Sequence, residues 1–271
     1  MTKHIVCYSG GHSSALVAVE VTRRFGKDNV ILLNHDIHEN SEGSDIKRFK
    51  NSVAEYLGIQ ITYANHHQWE QKDQFDVCID AKAFKVGNGT ALCTNRLKTQ
   101  PFENYLNQFH SDKDCIIYYG FDANEGVRIQ RRIGHLSQLG YKTDYPLALW
   151  PESIRTIRTI TEVGIEPPNT YEAFKHANCT GCLKAGKQHW YIVYCTRGDL
   201  WQKGKNAEES IGYSIHNGWY LEDVEEDFDK MRNLGITTTE HENGVSFFAR
   251  VRRTFKNMES DEDTKPCECV F

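Results

Sequence analysis

Short apolar runs alternate with amphipathic helical patterns through the first half of this 271-residue chain, and no other feature constrains the fold as much. The apolar runs predict strands at residues 4–8, 30–33, 60–63 and 115–119. Helical spacing predicts helices at 13–25 and 45–57, with Gly58 as a C-cap, and a further helix from about Glu125. Because crossover helices let successive strands run parallel, this order predicts an α/β fold with a doubly wound, Rossmann-like parallel sheet.

The pattern changes near residue 168. A helix is expected at 153–163, ended by Gly164, and the following Pro167 and Pro168 force a break. Beyond them the sequence predicts a Cys-Gly turn, an aromatic-rich helix, an acidic helix at 222–232, a hairpin around Asn243 and Gly244, and a polar tail from Asn257. We therefore expect a main domain over residues 1–168 and a cysteine-containing extension over residues 169–271.

Composition excludes several classes of protein. Charged residues make up 25% and hydrophobic residues 39%, which is typical of a folded globular chain rather than a disordered or fibrous one. The formal charge of −5 argues against nucleic-acid binding through net charge alone. No apolar run is long enough for a signal peptide or a membrane span, so a cytoplasmic protein without membrane contact is expected. The nine cysteines then favour metal binding or catalysis over disulfides.

A glycine-containing turn follows the first predicted strand, with the sequence Ser9-Gly10-Gly11-His12-Ser13-Ser14. A strand, a Ser/Gly turn and a helix N-terminus aim backbone N–H groups and hydroxyls at an anion, and the helix dipole favours phosphate there. The turn lacks the Walker GK[ST] and the dinucleotide GxGxxG patterns. It predicts a phosphate-binding loop of another kind.

The segment SGGHSSA resembles the PP-loop of the adenine nucleotide alpha-hydrolase superfamily, whose pattern is SGGxDS. Four further segments resemble the phosphoadenosine phosphosulfate (PAPS) reductase family in the same order: CTNRLK at 93–98 with Pro101, GFDANEGVRIQRR at 120–132, YPLALW at 145–150, and 162–171. The resemblance covers about residues 4–195. It implies an adenine-nucleotide-binding domain. In the superfamily pattern a lysine is frequent at the position of His12, and an acidic residue stands at the position of Ser13. Both residues therefore depart from the pattern.

The resemblance also implies which residues bind the nucleotide. They are Ser9, Gly10, Gly11, His12, Ser13, Ser14, Asn34, His35, Asp36, Lys98, Glu125 and Arg128. Ser9, Asp36 and Asp122 each fall just past a predicted strand, and ligands of parallel sheets bind at those carboxyl ends. Cys93 is expected to face the same crevice and is a candidate catalytic residue.

Two cysteine motifs can supply four sulfur ligands. Cys179 and Cys182 form a CxxC turn, and Cys267 and Cys269 form a CxC near the end of the sequence. Four thiolates can close a zinc site or hold an iron–sulfur cluster, and both remain open, with Cys195 as a further candidate ligand. The segment CTGCLKAGKQHW resembles an element of phage-encoded and DNA-modification-linked members of the reductase family. Family reductases carry a C-terminal nucleophilic cysteine, which makes Cys269 the second candidate catalytic residue.

Three functions are compatible with these features. The first is an enzyme that cleaves ATP between the α and β phosphates with Mg²⁺ and transfers AMP to an acceptor, so that sulfur can displace it in a thiolation. The second is a phosphosulfate reductase that uses Cys269 and a thioredoxin-like reductant. The third is a nucleotide sensor or partner-binding module without catalysis. A sulfur-donor protein and a nucleic-acid acceptor are compatible partners for the first function, and we favour that function.

Overall fold

A five-stranded, all-parallel sheet forms the centre of the computed structural model, which describes residues 2–87, 89–177 and 179–263, with side chains described to residue 256. Its strands are β1 (Lys3–Cys7), β2 (Val30–Asn34), β3 (Ile61–Tyr63), β4 (Cys115–Tyr118) and β5 (Lys142–Asp144). Their order across the sheet is β3-β2-β1-β4-β5. The chain therefore winds outward from β1 in one direction and then in the other, which confirms the predicted doubly wound α/β fold.

Eleven helices are labelled along the described part of the chain. In the first half they are α1 (His12–Phe25), α2 (Ser44–Leu57), α3 (Gln74–Ala81), α4 (Leu92–Thr94), α5 (Gln100–Phe109), α6 (Gly126–Gln138) and α7 (Pro146–Leu149). In the second half they are α8 (Lys187–Thr196), α9 (Gly198–Ile211), α10 (Glu225–Asn233) and α11 (Gly244–Asp263). The predicted strands and the helices α1, α2, α6 and α8 are confirmed to within a few residues. Helices α3, α5 and α9 and strand β5 had no sequence prediction.

The two faces of the sheet carry separate apolar clusters. Val6 of β1 packs with apolar residues of α1 and α2, whereas Ile5, its neighbour in sequence, packs with residues of α5 and α6. Alternate residues of a strand point to opposite faces, so a sheet buried on both faces needs continuous apolar strands. The register pairs His4 with Val30 on one side and with Ile116 on the other. Strand β1 is thus central.

The predicted helix at 153–163 is wrong. That segment contains two short 3₁₀ turns, Glu152–Ile154 and Ile160–Val163, with non-helical chain between them. The buried carboxylate of Glu20 accepts hydrogen bonds from the backbone N–H groups of Thr156 at 2.6 Å and Ile157 at 3.0 Å. A helix would need those N–H groups for its own carbonyls. Ile157 and Ile160 are nevertheless buried, so the apolar spacing reflected core positions rather than a helix.

The predicted hairpin around Asn243 and Gly244 is also wrong. Gly244 begins α11, whose backbone continues through the predicted polar tail to Asp263. The Asn243 side chain accepts a hydrogen bond from the N–H of Val245 at 2.9 Å. An asparagine that satisfies a free N–H of the first turn starts a helix as readily as it starts a tight turn, and here it starts the helix.

A third apolar cluster joins the second half of the chain to residues of the first. Trp190 of α8, Trp201 of α9 and Phe228 of α10 pack in it together with Phe75 of α3 and Phe84. The division at residue 168 remains a prediction, and this core spans both sides of it. Within the described residues no helix combines the length and the apolar character needed to cross a membrane.

Candidate functional site

The glycine turn connects β1 to α1 at the carboxyl edge of the sheet. Gly10 has a φ of +81°, and a Cβ there would lie 2.7 Å from the side chain of Lys50. Gly120, just after β4, packs against the same turn, because its Cβ would lie 2.8 Å from the backbone nitrogen of Ser14. Only glycine fits at either position, since the neighbouring atoms leave no room for a methyl group. The turn is therefore held from both sides.

Hydrogen bonds fix the turn further. The Ser14 hydroxyl donates to the carbonyl of Gly11 at 2.8 Å and accepts from the Ser9 hydroxyl at 3.2 Å. The backbone N–H of His12, at the start of α1, donates to the Tyr171 hydroxyl at 2.8 Å. The His12 ring accepts from the N–H of Ile160 at 3.3 Å, and burial lowers its pKa. His12 thus anchors the turn with its ring, while Ser9 and Ser13 remain exposed.

The end of β2 carries the next predicted group. Asn34 is buried, donates to the carbonyl of Tyr8 and accepts from the Lys50 ammonium at 3.1 Å. The ring of His35 bonds to the carbonyl of Ala64 through Nδ1, and burial, with Lys98 and Lys50 nearby, lowers its pKa to about 4. Asp36 is exposed and pairs with Lys47 at 2.9 Å. Asn34 therefore supports the site from within, and His35 is neutral at pH 7.

Lys50 connects the glycine turn to the rest of the site. It is 1% exposed, its stem lies against Gly10, and its ammonium pairs with Glu42 as well as bonding to Asn34. The Glu42 carboxylate is in turn close enough to contribute to the raised pKa of Lys98. The sequence contained a signal for Lys50, because it interrupts the apolar stripe of α2. A lysine on such a stripe needs a buried partner.

Three thiols surround Lys98. Its ammonium lies 3.8 Å from the Sγ of Cys179, and the charges of Cys179, Cys182 and Cys93 raise the pKa of Lys98 against the effect of burial. A hydrogen bond from the Cys78 thiol and the nearby charges of Lys98 and Lys184 lower the pKa of Cys93. Burial raises the pKa of Cys182. The Cys93 thiol therefore ionises more readily than an ordinary cysteine.

The segment that carries Lys98 has an unusual backbone. Asn95–Thr99 forms a π-turn between α4 and α5. Pro101, one residue into α5, has no N–H to complete a regular helix and collides with the carbonyl four residues earlier, which favours the wider turn. The distortion brings Lys98 to the thiols.

Polar contacts from two other segments hold the CxxC turn in place. The side chain of Gln74 on α3 donates to the carbonyls of Thr180 at 2.8 Å and Gly181 at 3.2 Å. The N–H of Thr180 donates to the carbonyl of Ser41 at 2.8 Å. Gly181 has a φ of +71°, as the turn requires. Sequence analysis did not identify Gln74 or Ser41, because nothing in their local pattern marks them.

The proposed four-sulfur site is described only in half. Cys267 and Cys269 lie outside the described residues, so neither the metal site nor the role of Cys269 as a nucleophile is tested. Among the residues that are described, no three His, Cys, Asp or Glu side chains are arranged to bind a metal ion. Cys195 packs at the edge of the aromatic cluster beside Tyr191. The four-sulfur site therefore remains a prediction.

Glu125 and Arg128 lie at the start of α6, past the end of β4, where the sequence predicted them. They pair with each other, and Arg128 lies 4.4 Å above the ring of Phe121. Glu125 also accepts from the N–H of Asp122 at 2.9 Å, which closes a capping box. The pair thus borders the same edge of the sheet while its charges are already matched.

Comparisons with known proteins give distant similarity. No model of a protein family matches the chain. The uncharacterized nin region protein ORF290 of Escherichia phage lambda is 25% identical over an alignment of 210 residues, which covers 68% of this chain and 67% of that protein. The solved structure of the U34-tRNA thiolase NcsA from Methanococcus maripaludis, with its [4Fe-4S] cluster, has a TM-score of 0.40 and 16% identity, covering 90% of this chain and 76% of that one. A TM-score of that size does not establish a shared function.

Proposed function

We propose that this chain is an enzyme that binds an adenine nucleotide at the glycine turn and carries out sulfur chemistry with the thiols around Lys98. The proposal depends on one observation, a series of charged groups at the carboxyl edge of the sheet. Lys50 contacts Gly10 and pairs with Glu42, the charge of Glu42 acts on Lys98, and the Lys98 ammonium lies beside the Sγ of Cys179. A phosphate-binding turn beside ionisable thiols is the arrangement that nucleotide-dependent sulfur transfer requires.

In the favoured reaction the nucleotide is ATP. The N–H groups at the start of α1 and the hydroxyls of Ser9 and Ser13 would hold its phosphates, where the helix dipole favours negative charge. An oxygen of the acceptor attacks the α-phosphorus, pyrophosphate leaves, and the acceptor carries AMP. A sulfur nucleophile then displaces AMP from the acceptor. Mg²⁺, when bound, would neutralise charge on the phosphates.

Cys93 is the thiol that this proposal assigns to the sulfur step. Its lowered pKa favours the thiolate, and the Lys98 ammonium stabilises that charge. The sulfur would come from a donor persulfide: the Cys93 thiolate takes its outer sulfur and releases the donor thiol, and the resulting Cys93 persulfide displaces AMP from the acceptor. A dithiol reductant then breaks the disulfide between the acceptor and Cys93, which frees the thiolated acceptor and restores the thiol. Lys98, predicted to bind nucleotide, is thereby reassigned in the proposal to the thiols.

The position of Cys93 also supports a second candidate, phosphosulfate reduction. Its thiolate would attack the sulfur of a phosphosulfate nucleotide, break the bond from sulfur to the bridging oxygen and release the nucleotide. A dithiol reductant would then free sulfite and restore the thiol, leaving the reductant as a disulfide. This version does not need Cys269.

Product assays separate the two reactions. With ATP and Mg²⁺ we expect pyrophosphate in the presence of an acceptor, and with a phosphosulfate nucleotide plus dithiol the second candidate releases sulfite. Binding of ATP is measured first, by calorimetry, in the wild type and in Gly11→Val. Gly11 has a φ of −93°, and a Cβ there meets neighbours only at 3.5 Å or beyond, so the variant should fold and lose the nucleotide.

The outcomes rank the functions. Equal ATP affinity in wild type and Gly11→Val would refute nucleotide binding at the turn. Sulfite release that disappears in Cys93→Ser would place reduction first, whereas sulfite release that needs Cys269 would restore the C-terminal nucleophile. Nucleotide binding without either product would favour the sensor.

Metal content is a separate measurement. If Cys179, Cys182, Cys267 and Cys269 share a zinc ion or an iron–sulfur cluster, Cys182→Ser and deletion of residues 266–271 should lower bound metal alike. Cys195→Ser is the matched control, because that thiol packs beside Tyr191 rather than beside Lys98. Full occupancy after the deletion would exclude the C-terminal cysteines as ligands.

A further inference from the structure

A groove of about 490 Å³ lies on the outer side of the CxxC turn. The residues that line it include Phe84, Lys85, Leu183, Lys184, His216 and Asn217. Its floor is apolar and its rim carries two lysines. The groove shares no lining residue with the glycine turn, so a ligand there would be a second molecule or a second part of one.

The described residues that build the groove and its surroundings lie at 82–87, 89–92, 183–190 and 213–219. Together they contain four lysines, Lys82, Lys85, Lys184 and Lys187, and not one aspartate or glutamate. The chain as a whole has a formal charge of −5. A local excess of positive charge on an acidic protein favours the binding of an anionic ligand at that place.

Contacts within the groove show that these charges are close together. The Lys85 ammonium bonds to the side chain of Asn217 at 3.0 Å. The ring of His216 stacks on Trp219 at 4.1 Å, and the Lys187 ammonium lies 5.0 Å from the centre of that indole. Burial, Lys85 and Lys187 lower the pKa of His216 to about 4. The His216 ring therefore stays neutral, and its Nε2 has no hydrogen-bond partner among the described residues.

The groove borders the thiols. Leu183 and Lys184 follow Cys182 directly, and Ala91, which also lines the groove, lies two residues before Cys93. Lys184 is near enough to help lower the pKa of Cys93 and to oppose the rise in that of Cys182. A ligand held at Lys85 and Lys184 would therefore contact a lysine whose charge acts on both thiols.

We propose that this groove binds a phosphate group of the molecule that exchanges sulfur with the thiols, with Lys85 and Lys184 contacting the phosphate oxygens. The assignment of the ligand as the sulfur-exchanging molecule rests on the proposed function, whereas the phosphate site rests on the groove alone. The phosphate can belong to a small monoester or to the backbone of a nucleic-acid strand. Both present the same charged oxygens to lysine.

Binding measurements with two kinds of probe test the site. The first is a labelled single-stranded oligonucleotide, as RNA and as DNA, followed by fluorescence anisotropy at several salt concentrations. The second is 5′-CMP, a phosphate monoester without adenine, followed by calorimetry. We expect K85Q/K184Q to bind at least one probe ten or more times more weakly than the wild type. For an oligonucleotide the salt slope should also fall by about 1.4, since each contact on a single strand contributes about 0.7.

The control variant is K27Q/K142Q, which removes the same charge from exposed positions outside the groove. A loss of probe affinity that is confined to K85Q/K184Q supports the site. The probe whose affinity is lost identifies the source of the phosphate. Equal loss in both variants would show a non-specific charge effect and overturn the proposal. So would unchanged affinity in K85Q/K184Q, or the failure of both probes to bind the wild type.

Parallel ATP titrations keep the two proposals distinguishable. K85Q/K184Q should retain wild-type ATP affinity and a wild-type unfolding temperature, and Gly11→Val should retain the affinity for the groove probe. If the wild type binds the groove probe but not ATP, the proposed function fails while the groove assignment stands. If K184Q alone unfolds at the wild-type temperature and loses the probe, instability of the double variant is not the cause.

Discussion

At the scale of single residues, Lys98 connects the charges of the site to its thiols. An ammonium inside a protein needs a negative partner. The group in direct contact with the Lys98 ammonium is a thiol and not a carboxylate. The benefit is mutual, because the negative charge of a thiolate stabilises the ammonium and the positive charge of the ammonium stabilises the thiolate. The effect of Lys98 on the thiols can therefore be measured with a general thiol reagent, without a known substrate.

Replacing Lys98 by methionine should raise the pKa of Cys93. We expect the pH midpoint of iodoacetamide modification at Cys93, followed by mass spectrometry, to rise by about one unit, which is a several-fold slower reaction at pH 7.5. Lys142→Met, on an exposed strand at the sheet edge, is the control and should leave the profile unchanged. An unshifted midpoint in Lys98→Met would mean that the Cys78 hydrogen bond alone sets the pKa.

His35 should make stability depend on pH. Its pKa is about 4 in the folded protein, against an ordinary value of 6.5, so the unfolded chain binds more protons between those two values. The contribution is complete above pH 6.5 and is lost as the pH falls toward 4, on the order of 2 kcal/mol. His35→Asn keeps a donor for the Ala64 carbonyl and removes the titration. Urea unfolding of the two proteins from pH 7 to pH 4 should show a flatter dependence for the variant, although His216 keeps part of the slope.

At the scale of secondary-structure elements, the contact of Gly120 with the N-terminus of α1 decides the shape of the glycine turn. A methyl group on Gly120 would meet backbone atoms of Ser13 and Ser14, and backbone cannot rotate aside as a side chain can. The turn after β4 therefore fixes the turn after β1, and two sequence motifs that lie far apart act as one unit.

Gly120→Ala should destabilise the protein by about 1–3 kcal/mol, the usual cost of overpacking. In thermal unfolding this corresponds to a decrease of several degrees, roughly 2–4 °C for each kcal/mol in a chain of about this length. Gly134→Ala is the matched control, because a methyl group there meets nothing within 4 Å on helix α6. The control should be neutral or more stable by up to about 1 kcal/mol. Equal unfolding temperatures for the two variants would contradict the close packing at Gly120.

How well the sequence predicted each element depended on whether its contacts are local or distant in the chain. Strands β1, β2 and β4 and helices α1 and α2 were predictable because each buries a continuous or periodic set of its own residues. The segment at 153–163 was mispredicted because its N–H groups bond to Glu20, more than 130 residues earlier in the chain. The glycine turn and Cys93 were identified from motifs, but Tyr171, Glu42 and Gln74 act through contacts that only the fold creates. Lys50 was visible as a charge on an apolar stripe.

At the scale of the whole molecule, one apolar cluster draws residues from both halves of the chain. Phe75 and Phe84 belong to the first half of the sequence, yet they are buried by α8, α9 and α10 from the second half. The CxxC turn lies above this shared core, because Gln74 and Phe75 are neighbours on α3 and both contact it. The position of the thiols thus depends on packing contributed by both halves.

Phe75→Ala should therefore weaken the second half of the chain as well as the first. Removing a fully buried phenylalanine costs about 3–5 kcal/mol. We expect faster hydrogen exchange of the amides in α8 and α9 along with those in α3, measured by mass spectrometry on peptides. Val245→Ala, at a position 77% exposed, should change none of these rates. Faster exchange restricted to α3 would show that the halves unfold independently.

The bond from the His12 N–H to the Tyr171 hydroxyl has a consequence for how any anion enters the glycine turn. Tyr171, from a distant part of the chain, already occupies a donor of the turn that a phosphate oxygen would need, so binding of an anion there would be an exchange and not a simple addition. At the His12 N–H, the gain in hydrogen-bond free energy is only the difference between a charged phosphate acceptor and the neutral Tyr171 hydroxyl. The displaced tyrosine lies eight residues before Cys179, in a segment that His241 holds through the Tyr171 carbonyl. If an anion displaces Tyr171, the segment that leads to the CxxC turn loses this contact with the glycine turn.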